Sequence, residues 1–377
     1  MLNSHSCALP AAFKVAGIWV VAMIAIGCMV FATAAFGASP RQKAMVEISK
    51  QLVPSGPWME GDQKGMANTQ GRGTWWRCSY HLGDSRAKVY EVSHLRTGTM
   101  SSSPFAAPLE YTFVPTKGVP FSRHAFNGET VKGETAGQGT QMDAIGHFGV
   151  LPDIWPMKGT IPYDKVTYYG GYTQKDVKPT PDSPLLKLGI ENAPPIITTA
   201  VLLDAKAHLG KGKAMKAGAV ITANDIEDMI KAQGLSWRGI LPGDVVYIYT
   251  GWSENWADPD TKKVYYTRGP GLSFDAAKYL EEKKVVMVAL DNPFTDPAAE
   301  GMIFGKAPPA KGTPPGLPFV IHHYNLTVAG IHQIQNANLA AMAKDKVWTS
   351  CTIILALRVK GGAGSAVRPV AIGAPNQ

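Results

Sequence analysis

Apolar residues in the second half of the chain gather in short runs: Val201-Leu202-Leu203-Asp204 and residues 245–250, 285–290 and 353–359. Runs this short, rich in β-branched residues and bounded by turn formers, predict buried strands, because a helix burying one stripe would space its apolar residues three and four apart. That helical spacing does occur between them. Thr222 is followed three residues later by Asp225 and then by Ile226, Met229 and Ile230. This predicts a capped amphipathic helix that runs to Gln233 and is stopped by Gly234. Ser273 caps a helix predicted over residues 275–283 in the same way. A short amphipathic helix is also expected over residues 42–52, while the aromatic-rich stretch 75–80 reads as a strand or a surface contact. Residues 308–318 form a Pro/Gly/Lys loop, with residues 298–306 before it as a candidate lid. Strands with intervening helices and many turns predict an α/β or α+β fold on a mixed sheet.

Composition sharpens this picture. With 377 residues and 45% hydrophobic content the chain can bury a core, and 39 Gly with 28 Pro argue for many turns rather than a helical bundle. Neither a repeat nor a linker is visible, so residues 39–377 are expected to form a single domain. The segment before it differs in kind. Lys14 precedes an uncharged apolar run over residues 15–36 in which Ala32-Thr33-Ala34 is an A-x-A-like cleavage site. Residues 1–38 therefore read as an export signal. The run also approaches the roughly 20 residues that span a bilayer, so an uncleaved membrane tether is the alternative. Either assignment puts the domain in the periplasm or the extracellular space. Cys7 and Cys28 fall in this segment, leaving Cys78 and Cys351 as one candidate disulfide pair or as two buried thiols. The net charge of +8 is dispersed without a basic run interleaved with aromatics, so no nucleic-acid partner is expected.

The densest chemistry lies between Gly137 and Gly149, where Gln138, Thr140, Gln141, Asp143 and His147 stand among glycines. Glycines let the backbone turn tightly against a ligand, and Asp143 and His147 offer a carboxylate and an imidazole for a divalent metal or a proton transfer. Alone, the same residues would serve as a helix cap and a packing histidine. A second cluster, His322-His323-Tyr324-Asn325 followed by His332, holds three of the chain's nine histidines. H-E-x-x-H and C-x-x-C zinc spacings are lacking, as are a G-x-x-x-x-G-K-[ST] phosphate loop and a G-x-S-x-G nucleophile elbow, and Gly361-Gly362-Ala363-Gly364 lacks the spacing of a dinucleotide fingerprint, so serine-hydrolase, kinase and dehydrogenase readings lose support.

Together the two clusters resemble the putative cyclase family, which includes bacterial kynurenine formamidase and isatin hydrolase. Gly139-Thr140-Gln141-Met142-Asp143 with His147 is similar to the family's H-x-G-T-H-x-D-x-x-x-H motif. Val201 to Asp204, Gly243-Asp244, Thr250-Gly251-Trp252, Pro270-Gly271-Leu272, Leu290-Asp291-Asn292 and the closing segment 361–369 follow in the family's order. The resemblance implies a swivelling β/β/α fold with a mixed, partly barrel-like sheet. It also implies a metal held by the motif's two histidines and aspartate, a later histidine, and a glutamate twelve positions beyond that histidine. In this sequence those places fall on Gly137, Gln141, Asp143, His323 and Gln335, so only Asp143 and His323 keep the family's side chains. His147 matches the motif's last histidine, a proton-transfer group. Amide oxygens bind zinc more weakly than imidazole or carboxylate. In place of a dinuclear zinc centre, the set Asp143, His323, Gln141 and Gln335 thus suits one divalent ion (manganese, zinc or magnesium), or no metal at all.

The implied activity is hydrolysis of an amide, lactam or aryl formamide, with N-formylkynurenine as the reference substrate and His147 as the catalytic acid and base. Trp252, Asn292 and His322 are the expected substrate-binding residues, and a homo-oligomer is the expected assembly. The alternative is an exported small-molecule binding protein that keeps the fold and a degenerate site.

Overall fold

The computed structural model describes residues 38–376. Thirteen strands are formed among them: β1 (Lys88–Glu91), β2 (Glu110–Gly118), β3 (Ala125–Lys132), β4 (Gln141–Asp143), β5 (Ile196–Asp204), β6 (Val220–Ile221), β7 (Val245–Tyr249), β8 (Gly271–Leu272), β9 (Met287–Leu290), β10 (His332–Gln335), β11 (Thr349–Ile354), β12 (Gly364–Ala366) and β13 (Val370–Gly373). Nine of them make one mixed sheet, curled into a half-barrel, in the order β1-β13-β11-β5-β7-β9-β10-β4-β12. The centre, β5-β7-β9-β10, is parallel, and both flanks are antiparallel. β2 and β3 form a separate hairpin, and β6 pairs with β8.

The central strands are apolar on both faces because both faces are covered, as parallel sheets require. Val201 and Leu203 of β5, Val246 and Ile248 of β7, and Val288 and Leu290 of β9 pack under two helices. The first, Ala223–Ala232, begins at the expected capping box of Thr222 and Asp225 and buries Ile226, Met229 and Ile230. The second, Phe274–Glu282, is capped by Ser273 and buries Ala276, Ala277 and Leu280. The alternate residues Ala200, Leu202, Tyr247, Met287 and Ala289 enter a second core on the opposite face.

Residues 75–80 are part of a helix, Arg72–Leu82, and not a strand. Its buried positions, Gly73, Thr74, Arg77 and Cys78, recur at helical spacing, and the aromatics Trp75, Trp76 and Tyr80 that suggested a strand lie exposed. Buried Arg77 donates to the Thr199 hydroxyl at 3.1 Å and the Pro242 carbonyl at 2.7 Å, with Asp244 3.6 Å away. Cys78 and Cys351 are disulfide-bonded, which ties this helix to β11. β11 ends at Ile354, and Leu355, Leu357 and Val359, predicted to continue it, are exposed. The apolar run 15–36 lies outside the described residues. Among those described, no helix is long and apolar enough to cross a membrane. The bridge closes a loop of 273 residues, and long loops lose most chain entropy when cross-linked. Replacing Cys78 and Cys351 together by Ser is expected to lower unfolding free energy by about 2–4 kcal/mol. Urea unfolding of the two forms checks this, and equal midpoints would contradict it.

Candidate active site

The site is built on the antiparallel pairing of β4 with β10. Gln333 stands opposite Asp143 and Gln335 opposite Gln141. Opposed residues share a face and neighbours along a strand alternate. Gln141, Asp143, Gln333 and Gln335 therefore project from one face, while Met142 and Ile334 enter the core on the other. The sequences Gln-Met-Asp and Gln-Ile-Gln thus define a polar face with an apolar back.

Buried Gln335 donates from Nε2 to Asp143 Oδ2 at 2.6 Å, and the same nitrogen lies 3.2 Å from His322 Nε2. His322 Nε2 is itself 3.7 Å from Asp143 Oδ2. On its other side His322 Nδ1 meets Asp296 Oδ2 at 2.6 Å. Asp296 also accepts the backbone N–H groups of Ile321 at 2.6 Å and His322 at 3.2 Å. With Nδ1–H donating to Asp296, neutral His322 presents the Nε2 lone pair to the Gln335 amide. Asp143, Asp296, His322 and Gln335 are all buried. Burial opposes charge on His322, yet the hydrogen bond and charge of Asp296, joined by the charge of Asp143, raise its pKa above the usual 6.5. The stability this group contributes is therefore complete below its ordinary pKa and is lost as pH rises through the raised folded value.

His322 ends a turn of α-helix, Val320–His322, which passes directly into a π-helix, His323–Ala329. The π segment is pinned by Asn325, whose Nδ2 donates to Gln333 Oε1 at 2.9 Å. Thr295, next to Asp296, donates to the same oxygen at 2.8 Å. This geometry corrects the expected roles of the two adjacent histidines. Twelve positions before Gln335 stands His323, but the residue facing Asp143 is His322, one position earlier. The wider π turns between the two elements change the register that simple counting assumes. His323 instead lines a neighbouring cavity with Phe148 and Phe319.

His147 follows Asp143 through the short 3-10 turn Ile145–His147 and is exposed. Its ring centre is 6.5 Å from that of His322, and Phe148 is closer at 5.2 Å. His147 thus stands on the solvent side of the buried centre. Trp252 donates its indole N–H to the Tyr265 carbonyl at 3.1 Å, and Asn292 Nδ2 donates to the Pro270 carbonyl. Neither hydrogen-bonds to Asp143 or His322, so their recorded bonds are structural rather than directed at the site. His332, the third histidine of its cluster, has Nε2 3.1 Å from the Lys64 carbonyl, and burial lowers its pKa to about 4. Asp296 was not anticipated. Its only sequence signal is an acid between Thr295 and Pro297 shortly after β9.

The donor set does not fit the family's two-metal arrangement. A Cβ at Gly137 would stand 2.7 Å from Ala106 Cβ, so the motif's first ligand position is filled by packing. Among the described residues, no three His, Cys, Asp or Glu side chains gather to hold a metal. Gln141 and Gln335 each keep a buried Oε1 without a partner, but these are neutral amide oxygens, and Gln335 already directs its nitrogen at both Asp143 and His322.

A parallel-centred mixed sheet covered on both faces, carrying a buried carboxylate and imidazole beside the paired strands β4 and β10, defines an α/β protein of the cyclase type. Residues 46–297 match the family model described as Putative cyclase. The chain belongs to the putative cyclase family. Its fold is similar to that of a novel cyclase of known crystal structure, with 23% identity and a TM-score of 0.66 over 83% of this chain and 97% of that one. It is also similar to isatin hydrolase A from Ralstonia solanacearum, with 16% identity and a TM-score of 0.50 over 78% of this chain and 95% of that one. No curated protein matches the chain.

Because residue 335 is neutral, one substitution tests the charge balance. Gln335→Glu brings a second carboxylate to within hydrogen-bond reach of Asp143, and two such groups cannot both ionise there without a cation. Thermal melting of this variant is expected to rise with added manganese, whereas the wild type barely responds. Equal responses of the two proteins would contradict this reading of the donor set.

Proposed function

We propose that the protein hydrolyses an acyl carbon–nitrogen bond, in an amide, lactam or aryl formamide, with His322 as the base that takes the proton of the attacking water. The carrying observation is the buried pair of Asp296 and His322 aimed at Asp143. Asp296 holds Nδ1–H and so fixes Nε2 as the free base. As the water oxygen bonds to the acyl carbon, its proton passes to Nε2, and the two flanking carboxylates stabilise the imidazolium that results. The Gln335 amide can then turn its unpartnered Oε1 to that new N–H. The carbon–nitrogen bond breaks as the nitrogen takes up the proton that His322 received, relayed through His147 on the solvent side, so that both imidazoles end as they began. A divalent ion would have to rely on Asp143, His322 and amide oxygens, a weak set for zinc.

The replacement of three metal-ligand positions by Gly137, Gln141 and Gln335 favours a second reading, a binding protein that retains the fold without turnover. Disulfide pairing of Cys78 with Cys351 supports an oxidising, extracytoplasmic location for either reading.

Formanilide hydrolysis by the purified protein tests the proposal. His322→Ala is expected to lower kcat by about 10²–10⁴-fold, and His147→Ala by about a hundredfold with little change in Tm. The rate should rise with pH through a midpoint above 6.5, since the base must lose its proton and its pKa is raised. Chelator treatment should leave the rate unchanged. Loss of activity on chelation with recovery in manganese would return water activation to a metal, and a wild type without turnover would leave the binding protein.

A further inference from the structure

The helix Arg72–Leu82 packs on β5 and β11 and is bonded to β11 through Cys78, but its outer face has no partner. That face carries Trp75, Trp76 and Leu82, exposed to 54%, 41% and 53%. A second helix, Pro40–Gln51, packs beside it and exposes Ile48, with exposed Leu52 following at its end. Between the two lies an open groove of about 620 Å³, lined by Arg41, Met45 and Ile48 from one helix and by Trp76, Ser79 and Tyr80 from the other. Exposed apolar residues scattered singly are ordinary, whereas a contiguous set marks a contact surface. This surface is remote in the sheet from the candidate active site, because β7 and β9 separate β5 from the β10–β4 pair.

The charge around it is mostly positive. Glu47 and Asp84 are each met by a basic neighbour, Lys50 at 2.7 Å and Arg86 at 2.8 Å. Arg41, Lys43 and Arg72 are exposed and pair with no acid among the described residues. Trp and Tyr rings flanked by Lys and Arg are the side chains that settle at a membrane–water boundary, the rings among the headgroups and the cations at the phosphates. The course of the chain points to the same partner. The uncharged apolar run 15–36 is long enough to span a bilayer and ends three residues before Pro40, where Ser39 caps the start of the first helix. Three residues reach about 10 Å at most, little more than the depth of one headgroup layer. A second copy of the chain is the poorer occupant, because a two-fold contact would set the same unpaired cations against each other.

We propose that the exposed face of the helices Pro40–Gln51 and Arg72–Leu82 rests on an anionic phospholipid bilayer in which residues 15–36 are anchored. Ile48, Trp75 and Trp76 enter the interfacial layer, and Arg41, Lys43 and Arg72 meet the lipid phosphates. Residues 37–39 hold the face close to the surface, so docking is an intramolecular event and a weak contact suffices. The bond from Cys78 to β11 ties this face to the sheet, so docking orients the whole domain on the membrane.

The full chain reconstituted in vesicles of phosphatidylcholine and phosphatidylglycerol, with acyl chains brominated near the headgroup, tests this, because bromine quenches indole fluorescence on contact. Quenching of the wild type should exceed that of Trp75→Phe combined with Trp76→Phe, by the share of these two rings. The excess should shrink in vesicles of phosphatidylcholine alone and at high salt, which screens exposed charges. In Arg41→Gln combined with Lys43→Gln, the ratio of docked to undocked protein read from the excess should fall about 25-fold, about five-fold for each cation lost. All four positions are exposed, and melting temperatures near that of the wild type will show that the variants are folded. Equal quenching of wild type and the Trp75, Trp76 variant in anionic vesicles would overturn the proposal. The two rings would then lie in water, or under a second copy or the chain's own N-terminal segment. A chain that does not float with the vesicles would overturn it as well. An excess unchanged by neutral lipid, by salt and by loss of Arg41 and Lys43 would overturn the role of the cations.

Discussion

The site depends on one register, that of β4 on β10. Asp143 belongs to a three-residue strand in a glycine-rich stretch, and Gln335 lies far along the chain. Only the antiparallel pairing that sets Gln333 against Asp143 puts all four polar side chains on one face. A one-residue slip of β4 would drive Gln141 and Asp143 into the apolar core that now holds Met142 and Ile334. The backing is firm because β10 is also paired in parallel with β9, so the site edge is continuous with the most buried part of the sheet.

That register creates an electrostatic problem that the protein solves with its own residues. Two buried carboxylates, Asp143 and Asp296, flank one imidazole, and leaving either without compensation would be costly. Gln335 contributes an N–H to Asp143 without adding a third negative charge. Asp296 is met by two backbone N–H groups as well as by His322. Compensation therefore comes from amides and from an imidazole whose pKa the two carboxylates raise, in the places where the family pattern relies on a cation. This is the physical content of the exchange of ligand residues for Gly137, Gln141 and Gln335.

The central fold was legible because its signals are local. β5, β7 and β9 are apolar on both faces, and the two helices over them carry their own caps at Thr222 and Ser273. β4 and β10 were hidden because most of their buried positions are polar, Asp143 in β4 and His332, Gln333 and Gln335 in β10, so each reads as a polar loop. The helix Arg72–Leu82 was obscured by exposed Trp75 and Trp76, which mimic a strand, while its buried contacts rest on Arg77 and Cys78. Within the site, Asp143 and Gln335 could be found from the motif. His322 could not be separated from His323 without the π-helix, and Asp296 emerges only when the chain brings it back to the histidine.

His322 is a buried imidazole held between two carboxylates. NMR titration of the ring nitrogens in histidine-labelled protein, with His322 assigned from His322→Ala, measures this most directly. The expected midpoint lies above 6.5 in the wild type and falls in Asp296→Asn, because that substitution removes both the hydrogen bond and one of the charges raising it. A midpoint at or below 6.5 that does not move in Asp296→Asn would contradict it.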